Sequence, residues 1–124
     1  MREIKFRAWH PESKSMTVFD LEKASKDQYI ASHVCALLSN THIEGKGLMM
    51  QFTGLTDKNG AEIYEGDIVK HIKGYVWAVI FETNESRFAL KCKAPLIRPL
   101  FKDRASNLEV IGNIYENPDL LGDL

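Results

Sequence analysis

The residues with the most recognisable binding chemistry form a basic segment in the last third of the chain. From residue 87 to residue 104 six cations stand against one acid, Asp103, and Phe88 and Phe101 are interleaved with them. Cations that follow a phosphate backbone, together with aromatic rings that stack on bases, are typical of nucleic-acid-binding surfaces. The candidate nucleic-acid-binding residues are Arg87, Lys91, Lys93, Arg98, Lys102 and Arg104.

The same segment has a simpler interpretation as the solvated face of an ordinary β-strand. From residue 87 to residue 93 the side chains alternate, so that cations lie opposite an apolar face containing Phe88, Leu90 and Cys92. The formal net charge of the chain is −1, which argues against general attraction to nucleic acid or to an anionic membrane. Nucleic-acid binding is therefore the second hypothesis, behind binding to a protein.

The distribution of histidine and cysteine does not predict a metal site. His33, Cys35 and His42 lie close in sequence, and Cys92 or His71 could complete a ligand set in the folded chain. Structural zinc sites usually contain a Cys-x-x-Cys pair or two histidines at ligand spacing, and this sequence has neither. We predict no metal and no other cofactor.

Three acidic residues of the central stretch are the candidates for acid–base catalysis. Glu62, Glu65 and Asp67 could converge in the fold. Acids beside turns usually bind turn amides instead, and Asp67 directly after Gly66 indicates a carboxylate that braces a turn. The sequence contains no nucleophile elbow, Walker loop or dinucleotide fingerprint, so we predict no catalytic residue and no enzyme.

A second acidic motif, Asp57-Lys58-Asn59-Gly60, begins like a calcium loop. Ala61 and Ile63 interrupt the oxygen ligands that such a loop requires, so the motif is interpreted as a turn. Asn-Gly favours a type I′ hairpin turn, in which both residues have positive φ.

These residues must be positioned by short strands. Leu48–Phe52 is an apolar run of strand length, and a further turn is expected at Glu65-Gly66-Asp67. Residues 67–72 and 76–83 predict a hairpin joined by 73–75. Since residues 76–81 are apolar on both faces, this strand should lie inside the fold.

The amino-terminal part predicts a hairpin followed by a region with two interpretations. Residues 4–9 and 16–19 form the hairpin, with Ile4, Phe6 and Ala8 on one face. After it, a helix over about 26–39 is favoured by a capping box of Ser25 with Gln28. Two short strands, Gln28–His33 and Val34–Leu38, are the alternative.

The carboxyl-terminal part is expected to contain a loop, one strand and a tail. Residues 94–107 include Pro95 and Pro99 and predict an irregular loop. Leu108–Ile111 should be a strand with a bulge at Gly112, and residues 119–124 allow one helical turn.

Three segments carry a family resemblance. The central letters FTGL, DKNG and EIYEGDIVK, the opening MREIKFRAW and the closing EVIGNIYENP resemble the YopX-like family of small bacteriophage and prophage proteins. Residues 22–47 and 87–108 are not matched. The resemblance implies a mainly β (all-β) fold of bent, branching antiparallel sheets in barrel-like shapes, with at most one short helix around 25–39. It implies no activity, substrate or catalytic residue.

Composition and resemblance together define the expected biology. A chain of 124 residues predicts one domain, 1–124. Two cysteines, no signal peptide and no apolar stretch of about 20 residues predict a protein of the bacterial cytoplasm that does not enter the membrane. We expect a small phage accessory protein that binds a host or phage protein, with nucleic acid as the alternative partner and with self-association allowed.

Overall fold

The computed structural model describes residues 3–20, 48–93 and 96–122, and strands predominate in them. These residues form nine strands and two one-turn helices. The strands are β1 (Lys5–His10), β2 (Ser15–Asp20), β3 (Leu48–Thr56), β4 (Glu62–Tyr64), β5 (Asp67–His71), β6 (Val76–Glu82), β7 (Arg87–Lys91), β8 (Ile97–Pro99) and β9 (Leu108–Asn113). The helices are α1 (Lys102–Ala105) and α2 (Asp119–Gly122).

The chain divides into two compact units, and the first comprises Met1–Phe52. In it β1 pairs with β2 from Lys5↔Asp20 to His10↔Ser15, which confirms the predicted amino-terminal hairpin. The start of β3 pairs antiparallel with the other side of β1. Alternation brings Ala8 and Phe19 into a small core, against which Phe6 and Met49 pack.

The second unit, Thr53–Leu124, contains a five-stranded antiparallel sheet in the order β8-β7-β6-β5-β9. The β5–β6 hairpin is confirmed, and β6 lies between two neighbours as its apolar faces predict, although Phe81 near its end is exposed. The part of β3 beyond Phe52 lies beside β4 in the strand order. The buried core consists of Ile63, Val69, Val79, Leu90, Ala105 and Leu108.

The fold class is the one that the sequence predicted. Both sheets are antiparallel, one is a half-barrel, and helix is confined to two short segments of the described residues. The helical turn expected in the tail is α2. Residues 26–39, where a helix or two strands were expected, lie outside the described residues. The expectation that residues 1–124 form one folding domain stays a prediction.

The prediction of an irregular loop at residues 94–107 is wrong. Ile97–Pro99 is strand β8 and Lys102–Ala105 is helix α1. Pro99 is tolerated in a strand because β8 lies at the sheet edge, where no ladder needs its missing N–H. Helix α1 forms because Ala105 is buried in the core of the second unit.

The prediction of a type I′ turn at Asn59-Gly60 is also wrong. Gly60 has φ +83°, but Asn59 is not among the residues with positive φ in the described part of the chain. The Gly60 N–H donates to Asp57 O at 3.1 Å and the Asp57 N–H donates to Ala61 O at 2.8 Å. This is a turn followed by a single left-handed glycine, the three-residue hairpin loop with a G1 bulge.

The bulge expected at Gly112 lies one residue earlier. Ile68 pairs with Gly112 and Val69 pairs with Val110, so that Ile111 has no partner on β5. Gly112 is constrained in another way: a Cβ there would lie 2.5 Å from Asn117 Oδ1.

Candidate functional site

A groove of about 250 Å³ in the second unit combines cations with aromatic rings. Its lining, taken over the described residues, contains no Asp or Glu. The lining residues are His71, Lys73, Tyr75, Trp77, Leu90, Arg98 and Arg104.

One wall is the tight turn between β5 and β6. The His71 N–H donates to Tyr75 O and the Gly74 N–H donates to His71 O, both at 2.7 Å, and Gly74 has φ +99°. The Lys73 N–H also donates to His71 Nδ1 at 3.0 Å. The closed turn presents Lys73 and leaves the Tyr75 side chain 64% exposed.

The floor of the groove is one face of the sheet. In the strand register Val79 pairs with Leu90, and Leu90 pairs with Arg98. Cross-strand partners share a face, and Trp77 lies two residues before Val79, so all four side chains are on the same side. Leu90 is buried and Trp77 packs against the core, which gives the groove an apolar base.

The second wall is built from β8 and α1. Arg104 Nη1 donates to Pro99 O at 2.8 Å, and its guanidinium lies over the Phe101 ring at 4.8 Å. Arg98 Nη1 donates to Ile97 O at 3.1 Å. Each bond uses one of the five N–H groups of a guanidinium, so both arginines are oriented and retain further donors.

The six basic residues predicted to bind nucleic acid do not lie together in the structure. Arg98 and Arg104 meet in the groove, whereas the β6–β7 register places Arg87 and Lys91 on the opposite face of the sheet. Arg87 Nε also donates to Glu82 Oε1 at 2.9 Å, an ion pair that compensates its charge. Lys93 and Lys102 are exposed and are not among the lining residues.

Sequence reasoning missed Lys73, Tyr75 and Trp77 as partners of the two arginines. They precede the basic segment in the chain and meet it only through strand pairing between β6, β7 and β8. The short Lys-Gly-Tyr connection between two strand patterns was the available indication, because it fixes a cation and an aromatic ring at a sheet end.

Two of the acids considered for catalysis or calcium binding, Asp67 and Asp57, accept hydrogen bonds from backbone N–H groups. Asp67 is buried, and its Oδ2 accepts the Tyr64 N–H at 2.7 Å, which confirms the expected turn brace. Asp57 Oδ1 accepts the N–H groups of Asn59 and Ala61, and Oδ2 accepts that of Val110.

These bonds determine the charge state of Asp57. Burial raises the pKa of the Asp57 carboxyl, but the Val110, Ala61 and Asn59 amides and the charge of Lys58 outweigh it. The net result is a pKa below the ordinary value of 3.8, so Asp57 is a carboxylate at neutral pH.

Within the described ranges no three His, Cys, Asp or Glu side chains are grouped so that they could hold a metal ion. His33, Cys35 and His42 lie outside those ranges, and Cys92 is a half-buried free thiol. The described helices include none long and apolar enough to cross a membrane.

Comparison with known proteins agrees with the architecture. The chain resembles a crystal structure of protein EF1440 from Enterococcus faecalis, with a TM-score of 0.57 and 23% sequence identity over 95% of this chain and 97% of that one. At that identity the likeness shows a shared fold. No curated protein matches the chain. The family model of the YopX protein matches residues 5–122, so the chain belongs to the YopX family.

Proposed function

We propose that this chain is a bacteriophage-encoded accessory protein that acts in the cytoplasm of the bacterial host by binding another protein, without catalysis. The observation that carries the proposal is the groove, where Arg98, Arg104 and Lys73 converge with Tyr75 and Trp77. Trp, Tyr and Arg are the residues most enriched among those that dominate protein–protein binding energy. An apolar floor with oriented arginines at its side has the composition of such an anchor site.

The size of the groove supports side chains as its occupants. Pockets that enclose a drug-sized ligand usually measure about 300–1,000 Å³. A groove of about 250 Å³ is smaller and accommodates one or two side chains of a partner. The carboxylates Asp57 and Asp67 are engaged with backbone amides, which also favours binding over acid–base chemistry.

Nucleic acid is the second candidate, favoured by the same cations and by Tyr75, whose exposed ring could stack on a base. A nucleic-acid strand needs cations along a continuous path. Arg87 and Lys91 lie on the face of the sheet away from the groove, and Arg87 is paired with Glu82, so the described cations form no such path. This distribution favours a protein partner.

A site-specific cross-link tests the proposal. A photoreactive amino acid replaces Tyr75 in the groove, and in a matched variant it replaces Lys91, which is exposed on the opposite face. Both proteins are expressed in the bacterial host and irradiated, and adducts are identified by mass spectrometry. We expect one defined protein adduct from position 75 and none from position 91.

A parallel assay measures binding of labelled single-stranded DNA and RNA over a salt series. Weak binding that vanishes at physiological salt agrees with a protein partner, because a few exposed cations attract any polyanion at low salt. Binding that persists at physiological salt, with nucleic-acid adducts at position 75, would replace the protein hypothesis by the second candidate.

A further inference from the structure

We infer that the groove is a carboxylate-binding site, and that the segment it takes from a protein partner is acidic with an adjoining apolar or aromatic side chain. The inference rests on the proposed function and specifies the chemistry of the partner. Four basic residues of the lining supply N–H or ammonium donors: His71, Lys73, Arg98 and Arg104. Among the described residues that line the groove there is no acid to compete for them.

The arginines are prepared for carboxylates by their internal bonds. Arg98 Nη1 is held by Ile97 O and Arg104 Nη1 by Pro99 O, so both side chains have lost part of their conformational freedom before a ligand arrives. Ordering long side chains is one of the costs of binding, and pre-orientation reduces it. The remaining N–H groups of a guanidinium form a planar fork that matches the two oxygens of a carboxylate.

The Phe101 ring beneath Arg104 strengthens this preference. The Arg104 Cζ lies 4.8 Å from the Phe101 ring centroid, a cation–π contact that does not use the guanidinium N–H groups as hydrogen-bond donors. Arg104 is partly buried, so its interaction with a carboxylate is screened less than that of a fully exposed cation.

The aromatic side of the groove selects a second feature of the ligand. Tyr75, in the β5–β6 turn, is 64% exposed, and the half-buried Trp77 lines the groove with it above the buried Leu90. An acidic residue alone would leave this apolar surface in contact with water. A neighbouring apolar or aromatic side chain of the partner would cover it, which adds hydrophobic stabilisation to the ion pair.

The probes for the test are three synthetic ligands. The first is an acetylated, amidated peptide of alternating Glu, Leu and Phe; the second has Gln in place of every Glu; the third is a short oligo(dT). Binding to the full chain is measured by calorimetry and by amide NMR, in which shifts of the residue 71–77 and 98–104 signals report occupation of the groove. We expect saturable binding of the Glu peptide and a Kd at least about tenfold higher for the Gln peptide. Loss of one charge-assisted hydrogen bond is enough to raise the Kd by about tenfold.

Two variants identify the residues responsible. The double substitution Arg98→Gln with Arg104→Gln removes both charges but leaves amide N–H groups for Ile97 O and Pro99 O. It should lower the affinity for the Glu peptide by about tenfold or more. Lys91→Gln, exposed on the other face, is the matched control and should change the affinity less than about twofold. Thermal melting of each variant verifies that the chain is folded.

Three outcomes overturn the inference: equal affinity for the Glu and Gln peptides, equal weakening by the control substitution, or tighter binding of oligo(dT) than of the Glu peptide. A defined protein adduct at position 75 with no preference for Glu would retain the proposed function and reject the carboxylate. Absence of any adduct, with specific oligo(dT) binding, would reject both.

Discussion

Asp57 and Val110 lie 53 positions apart in the chain, and the Val110 N–H donates a 2.8 Å hydrogen bond to Asp57 Oδ2. The Lys58 N–H donates to Leu108 O at 2.9 Å in the same region. Both β9 groups belong to the outer edge of the five-stranded sheet, since β9 is its last strand. The hairpin loop after β3 therefore covers the sheet edge that β9 would otherwise leave exposed.

The first prediction concerns this carboxylate. Asp57→Ala leaves three backbone N–H groups without their acceptor, and hydrogen bonds to a charged group contribute about 1.5–3 kcal/mol. That value is for one bond and three are lost, so we expect a loss of unfolding free energy of at least about 1.5–3 kcal/mol, measured by urea denaturation at pH 7. Asp103→Asn on the exposed surface of α1 is the control and should change stability by less than about 0.5 kcal/mol.

The second prediction is the pH dependence of the same interaction. The folded-state pKa of Asp57 lies below its ordinary value of 3.8, so the unfolded chain binds the proton more tightly. The stabilisation is fully present above pH 3.8 and is lost as the pH falls through the lower folded-state pKa. The difference in unfolding free energy between the wild type and Asp57→Asn should be constant from about pH 5 to about pH 7, a range that lies at least about one pH unit above the ordinary pKa of 3.8. The difference should shrink as the pH falls below 3.8. A difference that stays constant in strong acid would contradict the assigned carboxylate.

The third prediction separates the two turn types at Asn59-Gly60. Gly60 has φ +83° and its missing side chain faces open space, so a substitution there costs backbone strain without a steric clash. Gly60→Val should destabilise the protein by more than about 1 kcal/mol, because a β-branched residue is strained at positive φ. Asn59→Ala should change stability by less than about 0.5 kcal/mol, since Asn59 is outside the left-handed region. Thermal melts of the two variants distinguish the two turn types, and a large destabilisation by Asn59→Ala would support the type I′ turn instead.

How far the sequence determined these features depends on the range of the interaction. The strand at 48–52, the β5–β6 hairpin and the brace at Asp67 were predictable because each depends on residues a few positions apart. The turn at Asn59 was not, because Asp57 binds Asn59, Ala61 and the distant Val110 together, and the last contact has no local pattern.

The candidate site follows the same rule. Arg98 and Arg104 were identified by their charge, but sequence cannot separate them from Arg87 and Lys91, because the division depends on which face of β7 and β8 each side chain takes. Alternation placed the cations of β7 correctly on one face. It could not predict that β8 would add Arg98 to the other face, because residues 94–107 have the composition of a loop.

The fourth prediction tests the close approach at Gly112. A Cβ at this position would lie 2.5 Å from Asn117 Oδ1, the atom that accepts the Asn113 N–H. Gly112→Ala should therefore displace the Asn117 side chain and cost about 1–3 kcal/mol. In an Asn117→Ala background the same substitution should cost less, because Oδ1 at 2.5 Å and Cγ at 2.8 Å are removed and only the residue 117 Cβ at 3.1 Å remains close. A double-mutant cycle by chemical denaturation measures this coupling, and additive effects would contradict the contact.

The fifth prediction concerns the other edge of the sheet, strand β8. Cys92 N–H donates to Leu96 O and Leu100 N–H donates to Phe88 O, so the even-numbered residues bond to β7. Because backbone groups alternate along a strand, Ile97 O and Pro99 O point away from β7. These two carbonyls accept Arg98 Nη1 and Arg104 Nη1, and Pro99 has no N–H to offer.

The two arginines and Pro99 therefore leave this edge few groups for pairing with another chain. The double substitution Arg98→Ala with Arg104→Ala removes both hydrogen bonds. We expect this variant to self-associate and therefore to sediment at a higher mass than the wild type at the same protein concentration. Arg98→Gln with Arg104→Gln retains N–H donors and should sediment as the wild type does, which separates edge protection from loss of charge. Arg87→Ala is a further control, because its guanidinium bonds to the Glu82 side chain and protects no strand carbonyl. Sedimentation velocity over a concentration series provides the measurement, and an unchanged mass of the double alanine variant would show that these arginines do not protect the edge.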